Sequence, residues 1–400
     1  MPGFADSIET PAELIALRRE LHRWPELRFQ EHRTAAAVAQ RLLAAGCSVR
    51  SGIAGTGLLA SLDSGSPGPH VVVRADLDAM PIADLKDAPY ASAVPGVAHA
   101  CGHDVHTVVA LGVAQRFAAA PPPRGRISFL FQPAEERPFG EPSGARAMLD
   151  GGVFEGALPD AILGLHCWPD LPVGSIGIDE RIAMGAKDAF RIAFRGRAAH
   201  AATPSRGRDA VLGIAQLVTA LHQGFARSLD PGDLAAFNVG TIRGGRSQSV
   251  IADEAEVTGT LRTIEPPVRA RLRGEIERIA EHVAGLLALE RDFAWADDMP
   301  AIVNDPRLVT IATGVATDLL GTANARVLTR PPMTSDDFAL FAELVPALYL
   351  KLGICDGGPC PSLHSGAFDV DERAIGVGVG MLHATVARLL ASGIEPGRGA

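Results

Sequence analysis

The stretch from Val71 to Phe131 opens on Val-Val-Val (71–73), passes through DVHTVVALGVAQRFA (104–118) and closes on ISFLF (127–131). Its outer runs are short, apolar and rich in β-branched or aromatic residues, as in a strand buried on both faces. The middle run is too long for a strand and has helical spacing. Strand, helix and strand in that order predict a parallel pair joined by a crossover helix, and Ala161 to Leu165 adds a third buried strand. On either side, residues 12–24 (AELIALRRELHRW), 33–46 and 371–391 are helical in pattern, and Ala347 to Leu352 is strand-like.

Between these flanks the pattern changes. Phe190, Ile192 and Phe194 alternate with polar or small residues, which suits a sheet with one wet face. A helix is expected at about 208–224, then strands near 234–242 and 255–263. Pro266-Pro267 opens a long helix, and Phe293 to Ala296 is strand-like. The order β-α-β-β-α-β is that of the split βαβ, or ferredoxin-like, sandwich. The expected fold class is therefore α/β, a mostly parallel-sheet domain formed by 1–186 and 299–400. An inserted α+β domain at 187–298 interrupts it.

A chain of 400 residues exceeds the usual size of one compact domain. Its net charge of −9 argues against a nucleic-acid or anionic-membrane partner. No run reaches the roughly 18 apolar residues of a membrane span. No basic region followed by an apolar core opens the chain, so no signal peptide is expected. Five cysteines are too few for a disulfide scaffold, so a reducing, cytoplasmic setting is expected. A special cysteine is then more readily a ligand or a nucleophile than half of a bridge.

One such cysteine stands in ACGHDVH (100–106). Cys101 and His103, at the mouth of a helix, can face one metal ion or straddle two, and the helix N-terminus favours a thiolate. A buried cysteine beside capping residues would look the same. FQPAEE (131–136) puts Glu135 and Glu136 just after a buried strand, His166 ends another, and Asp76 and Asp78 follow the Val71–Val73 run. Ligands in open α/β sheets bind beyond the carboxyl ends of the strands, where all five residues would converge.

In these stretches the sequence resembles the M20 metallopeptidase and aminoacylase family, in the branch holding hippurate hydrolase and indoleacetyl-amino-acid hydrolases. The resemblance rests on LHRWPELRFQE (21–31), GTGLLA (55–60), RADLDAMPI (74–82), HACGHDVHT (99–107) and FQPAEE. GLHCWPDLPVG (164–174), AAHAATP (198–204), MTSDDFALF (333–341) and LHSGAFD (363–369) carry it on, in order, over nearly the whole chain. It implies metal ligands at Cys101, His103, Glu136, His166 and His364, with Cys101 bridging two divalent ions. Glu135 would be the catalytic base and Asp78 the carboxylate behind the site. Asp76 stands where other branches have a ligand histidine. Thiolate with imidazole suits Zn²⁺, and the carboxylate also tolerates Mn²⁺, Co²⁺ or Ni²⁺.

The resemblance further implies a metal-dependent amidohydrolase acting on N-acyl amino acids through a metal-activated water. Dipeptidase or carboxypeptidase action and a non-catalytic metal-binding sensor are the alternatives. The inserted domain would serve as lid and dimerisation domain of a homodimer, and His200 would steady the oxyanion from the partner subunit. Ser249 and Ala252 stand where the family has asparagine and proline, and Ser205 where relatives have histidine, which puts substrate recognition in question. Arg246, Arg262 and Asn238 are candidates for the substrate's polar end, against an ordinary turn-capping role. His22, His32, His70, His222, His282 and His383 are expected to be solvated or satisfied locally, and His99 and His106 to orient ligands. Cys355 and Cys360 could bind an ion as a pair, but Asp356 to Pro359 between them reads better as an ordinary loop, and no bridge is expected of them.

Overall fold

The computed structural model describes residues 9–137, 140–358 and 360–393. The chain divides into two compact units. One comprises Met1–Ala183, Val303–Arg330 and Asp337–Ala400, and the other Met184–Ile302 with Pro331–Asp336.

The first unit begins with α1 (Ala12–Arg23), α2 (His32–Ala44), β1 (Ser48–Ile53), β2 (Gly57–Asp63) and β3 (His70–Asp76). It continues with α3 (His103–Ala119), β4 (Arg126–Gln132), α4 (Gly144–Asp150), β5 (Ala161–Pro172) and β6 (Ile176–Asp179). A short β7 (Ile182–Met184) leads into the second unit: β8 (Ala186–Arg195), β9 (Ala199–His200), α5 (Ala210–Ser228), β10 (Ala235–Gly244) and β11 (Val250–Ile251). Then come β12 (Glu254–Thr263), α6 (Pro266–Leu286) and β13 (Glu290–Met299). The chain returns through β14 (Ile302–Val303), α7 (Pro306–Leu320), β15 (Ala325–Leu328), α8 (Ala339–Ala342), β16 (Ala347–Cys355) and α9 (Arg373–Ser392).

In the first unit eight strands lie in the order β1-β2-β4-β3-β5-β16-β6-β15. The central run β4, β3, β5 and β16 is parallel. The β1–β2 hairpin adds antiparallel strands at one edge, and β6 runs antiparallel to β16. Buried Val71, Val73, Phe129, Phe131, Leu163 and Leu350 join α3 and α9 in one core. α9 is the one helix among the described residues long and apolar enough to cross a membrane, and 72% of its apolar window is buried within the fold. Such burial marks a core helix.

The second unit has the four-stranded order β10-β12-β8-β13. Along β12, Ala255, Val257, Gly259, Leu261 and Thr263 are buried, while the alternate residues are not. Phe190, Ile192 and Phe194 share the buried side with α5 and α6, which leaves the other face of the sheet open.

One expectation fails in the first unit. Cys355 and Cys360 are joined by a disulfide, their Cα atoms 5.8 Å apart. Five residues of sequence separation do not reveal that the chain turns back within bridging distance.

Candidate metal centre

Parallel pairing decides where the polar residues gather. Asp76 faces Gln132 across β3 and β4, and Lys351 faces His166 across β16 and β5. Arg74 is level with Gly164, so His166, two residues on, comes level with Asp76. Asp78, Glu135, Glu136 and His166 thus leave the sheet at one edge. Cys101 and His103 arrive there because Gly102, at φ +88°, turns the chain into α3. A Cβ on Gly102 would sit 2.8 Å from the Cys167 sulfur, so only glycine fits.

Cys101 Sγ lies 3.3 Å from His166 Nε2 and 3.3 Å from His364 Nε2. His364 Nε2 is 2.8 Å from Glu136 Oε1. The ligand atoms form overlapping groups: Cys101, His103 and His166; Cys101, Glu136 and His364; and His103, Glu135 and Glu136. All five expected ligands and Glu135 are therefore brought together, with Cys101 common to the first two groups.

The imidazoles are oriented from behind. His103 Nδ1 donates to the Asp78 carbonyl at 2.8 Å, and His166 Nδ1 donates to the Cys167 carbonyl at 2.7 Å. Each bond turns Nε2 towards the shared space. His103 Nε2 is buried without a hydrogen-bond partner among the described residues.

Charge points the same way. Burial opposes protonation of His103, but Asp76 and Asp78 outweigh it and push its pKa up to about 10. Burial, with Glu136, Glu135 and Asp76 around it, pushes the Cys101 thiol well above its ordinary value. For Glu136, burial is outweighed by His364 and His103, which hold its carboxyl below the usual range. Carboxylates crowded around a buried thiol and imidazoles fit divalent cations, whose charge would take the place of the protons held there.

Asp76 and Asp78 take different places. Asp76 accepts from Arg74 at 2.7 Å and from His106 Nδ1 at 2.7 Å. His106 Nε2 accepts the Cys167 amide at 2.9 Å, so Asp76 and His106 form a strut between β3, α3 and β5. Asp78 accepts the Glu135 amide at 3.1 Å with one oxygen and the Glu136 amide at 2.9 Å with the other. His99 is buried but makes no side-chain hydrogen bond among the described residues, so it orients no ligand through one.

In the second unit His200 is exposed on β9, opposite Val250. Its Nδ1 accepts the Ala202 amide at 3.0 Å, which leaves Nε2 as an outward donor. Asn238 and Arg262 are on the open face of the sheet, where Arg262 donates to the Met333 carbonyl at 2.8 Å. Arg246 lies beyond the opposite end of β10, an exposed residue 3.5 Å from Asp253. Arg262 faces Ala236 and Gly244 faces Ala255, so the two arginines are separated by roughly 25 Å of sheet.

Several buried polar groups escaped the sequence. His22, expected to be solvated or satisfied locally, is buried and bonds Asp104 at 2.8 Å and Asp84 at 3.3 Å. Arg18, fully buried, meets the same Asp104 at 2.8 Å. Glu31 is buried and accepts the Ala134 amide at 3.0 Å. Only its place in the 21–31 motif signalled it.

Peptidase family M20/M25/M40 matches residues 72–388. This chain belongs to that family. N-acetyl-L-cysteine deacetylase of Bacillus subtilis is 35% identical over 385 residues, covering 96% of this chain and 89% of the relative. Thermostable carboxypeptidase 2 of Saccharolobus solfataricus is 31% identical over 380 residues, 94% of each chain. A crystal structure of a Bacillus subtilis protein described as a dinuclear metal binding peptidase from the M20 family superposes with a TM-score of 0.80. That protein is 32% identical, and the match covers 95% of this chain and 98% of its own. This M20 chain is a hydrolase acting on amide C–N bonds.

Proposed function

We propose that the chain hydrolyses the amide bond of N-acyl amino acids at a centre of two divalent ions held by Cys101, His103, Glu136, His166 and His364. The observation that carries this is the position of Cys101 Sγ in two ligand groups at once, beside a Glu135 whose backbone Asp78 holds. When bound, such ions act as Lewis acids and bring the pKa of water from about 15.7 towards about 7.

Glu135 takes the proton of the attacking water and returns it to the leaving nitrogen. Glu136 is committed to the ligand group with Cys101 and His364, so the adjacent carboxylates divide into base and ligand. The Nε2–H of His200 is a donor suited to a developing oxyanion, and loss of one such donor costs about 10²–10³ in rate. Arg262 and Asn238 are the better-placed pair for the amino-acid carboxylate, since both lie on the open sheet face near one end.

His200 adjoins the Arg246 end, through the β9–β11 pairing. A small substrate cannot span roughly 25 Å of sheet, so it meets His200 and Arg262 together only if they come from different copies. That supports a homodimer with His200 acting across subunits, and the second unit as lid and dimerisation domain. Similarity to an N-acetyl-L-cysteine deacetylase favours an acyl amino acid over a dipeptide.

The test is a panel of N-acyl amino acids and dipeptides, assayed after loading metal-free protein with Zn²⁺, Mn²⁺, Co²⁺ or Ni²⁺. Faster turnover of N-acyl amino acids is expected, with Glu135→Gln inactive yet normal in metal content. Preference for dipeptides would replace the substrate assignment with a peptidase, and an active Glu135→Gln would remove the base.

A further inference from the structure

The loop that carries Glu135 is held by more than Asp78. Three successive backbone amides, those of Ala134, Glu135 and Glu136, all donate to carboxylates. Asp78 takes the last two. The first goes to Glu31 Oε1 at 3.0 Å, which also accepts the Phe29 amide at 2.9 Å. Glu31 Oε2 accepts from Thr56 Oγ1 at 2.5 Å, in the turn before β2.

Ala134 is the residue that needs such a hold. Its φ is +51°, a left-handed conformation that is unfavourable for a non-glycine residue. Its carbonyl accepts the Gly144 amide at 3.0 Å, so both its backbone groups are bonded. The turn at Ala134 decides the direction in which the next residue leaves the strand. Glu31 lies 103 positions away, wholly buried at the start of α2, and among the described residues no cation bonds it. Burying a carboxylate is unfavourable unless its hydrogen bonds are made, and here all three donors converge on it.

We infer that Glu31 is a positioning residue for hydrolysis: it clamps Ala134 in its left-handed turn and thereby aims the Glu135 carboxylate. The inference rests on Glu135 being the base. Misplacement of a reacting group by about 1 Å can cost 10²-fold in rate, so a loosened turn acts on kcat without touching the groups that bind substrate.

The test compares Glu31→Ala, Glu31→Gln and Glu135→Gln as full-length, metal-loaded protein. Glu31→Ala is expected to lower kcat about 10- to 100-fold with KM nearly unchanged and metal content equal to that of the unaltered protein. Glu31→Gln keeps an acceptor for the Ala134 amide and is expected to recover most of the loss. In metal-free protein, hydrogen exchange of the 131–137 segment should quicken in Glu31→Ala and not in Glu31→Gln. A folded Glu31→Ala with unchanged kcat, or a loss confined to KM or metal content, overturns the inference. Should that variant fail to fold, Thr56→Val decides. It removes the hydroxyl that holds Glu31, and a several-fold fall in kcat at constant KM is expected, an unchanged kcat being contrary. An active Glu135→Gln removes the base itself, whereas an inactive one beside an unimpaired Glu31→Ala removes only the role of Glu31.

Discussion

His70 shows how one side chain ties acidity to stability. Its Nδ1 accepts from Arg126 at 2.9 Å, so its Nε2 donates to Ser128 at 2.8 Å. Burial and the Arg126 charge lower its pKa from 6.5 to about 4. Between those values the unfolded chain takes up a proton that the folded chain refuses. The contribution is therefore present above pH 6.5 and lost as pH falls towards 4. Urea midpoints measured from pH 8 to pH 4.5 should fall less steeply in His70→Gln than in the unaltered protein, and parallel curves would contradict the assignment. The cysteines give a second residue-scale prediction. With Cys355 and Cys360 bridged, denatured protein should titrate three thiols before reduction, from Cys47, Cys101 and Cys167, and five after it. Five at the outset would dispose of the bridge. Glu135, Glu136 and Cys101 were legible because local motifs carry them. Asp104, which His22 bonds, and Ala134, whose amide Glu31 accepts, lie 82 and 103 positions away, and no local pattern encodes such pairs.

At the scale of elements, α3 matters most, because His103 is its first residue. Its N-terminal turn is pinned through Asp104 to Arg18 on α1, which also reaches Asp369 at 3.0 Å and Glu372 at 3.4 Å. Burial works against the charge on Arg18, but Asp104 and Asp369 more than offset it. Removing one partner of a buried pair leaves the other charged and unpaired, a cost of about 3–5 kcal/mol. Arg18→Met should destabilise the protein by up to that order in denaturant titration, since among the described residues only His22 then bonds Asp104, and a change below about 1 kcal/mol would show that His22 alone suffices to hold it. The elements themselves were largely readable, since β3, β4, β5, β16, α3 and α9 each bury a periodic or continuous apolar run. The β1 strand was not, because its residues SVRSGI are mostly exposed and carry no apolar alternation. An edge strand of that kind is paired by its backbone and leaves little mark in the side chains.

At the scale of the whole molecule, the proposed homodimer makes a prediction about which copy supplies His200. The second unit presents an exposed edge strand, β10, with Ile242 58% exposed, and Val211 and Leu212 stand exposed on α5. These are surfaces on which a second copy can dock by strand pairing and apolar contact. In the proposed homodimer each site would combine Glu135 of one subunit with His200 of the other. Glu135→Gln and His200→Ala are then each inactive or nearly so as homodimers. A mixed dimer behaves differently, because its two lesions fall in the same site and leave the other intact. Random exchange makes half of all dimers mixed, so about a quarter of the sites should be active after the two proteins are dissociated and reassociated in equal amounts. If His200 served its own subunit, every site in the mixed dimer would carry one lesion and activity would not return. Sedimentation of the mixture completes the test, since recovery in a species that sediments as monomer would exclude a shared site.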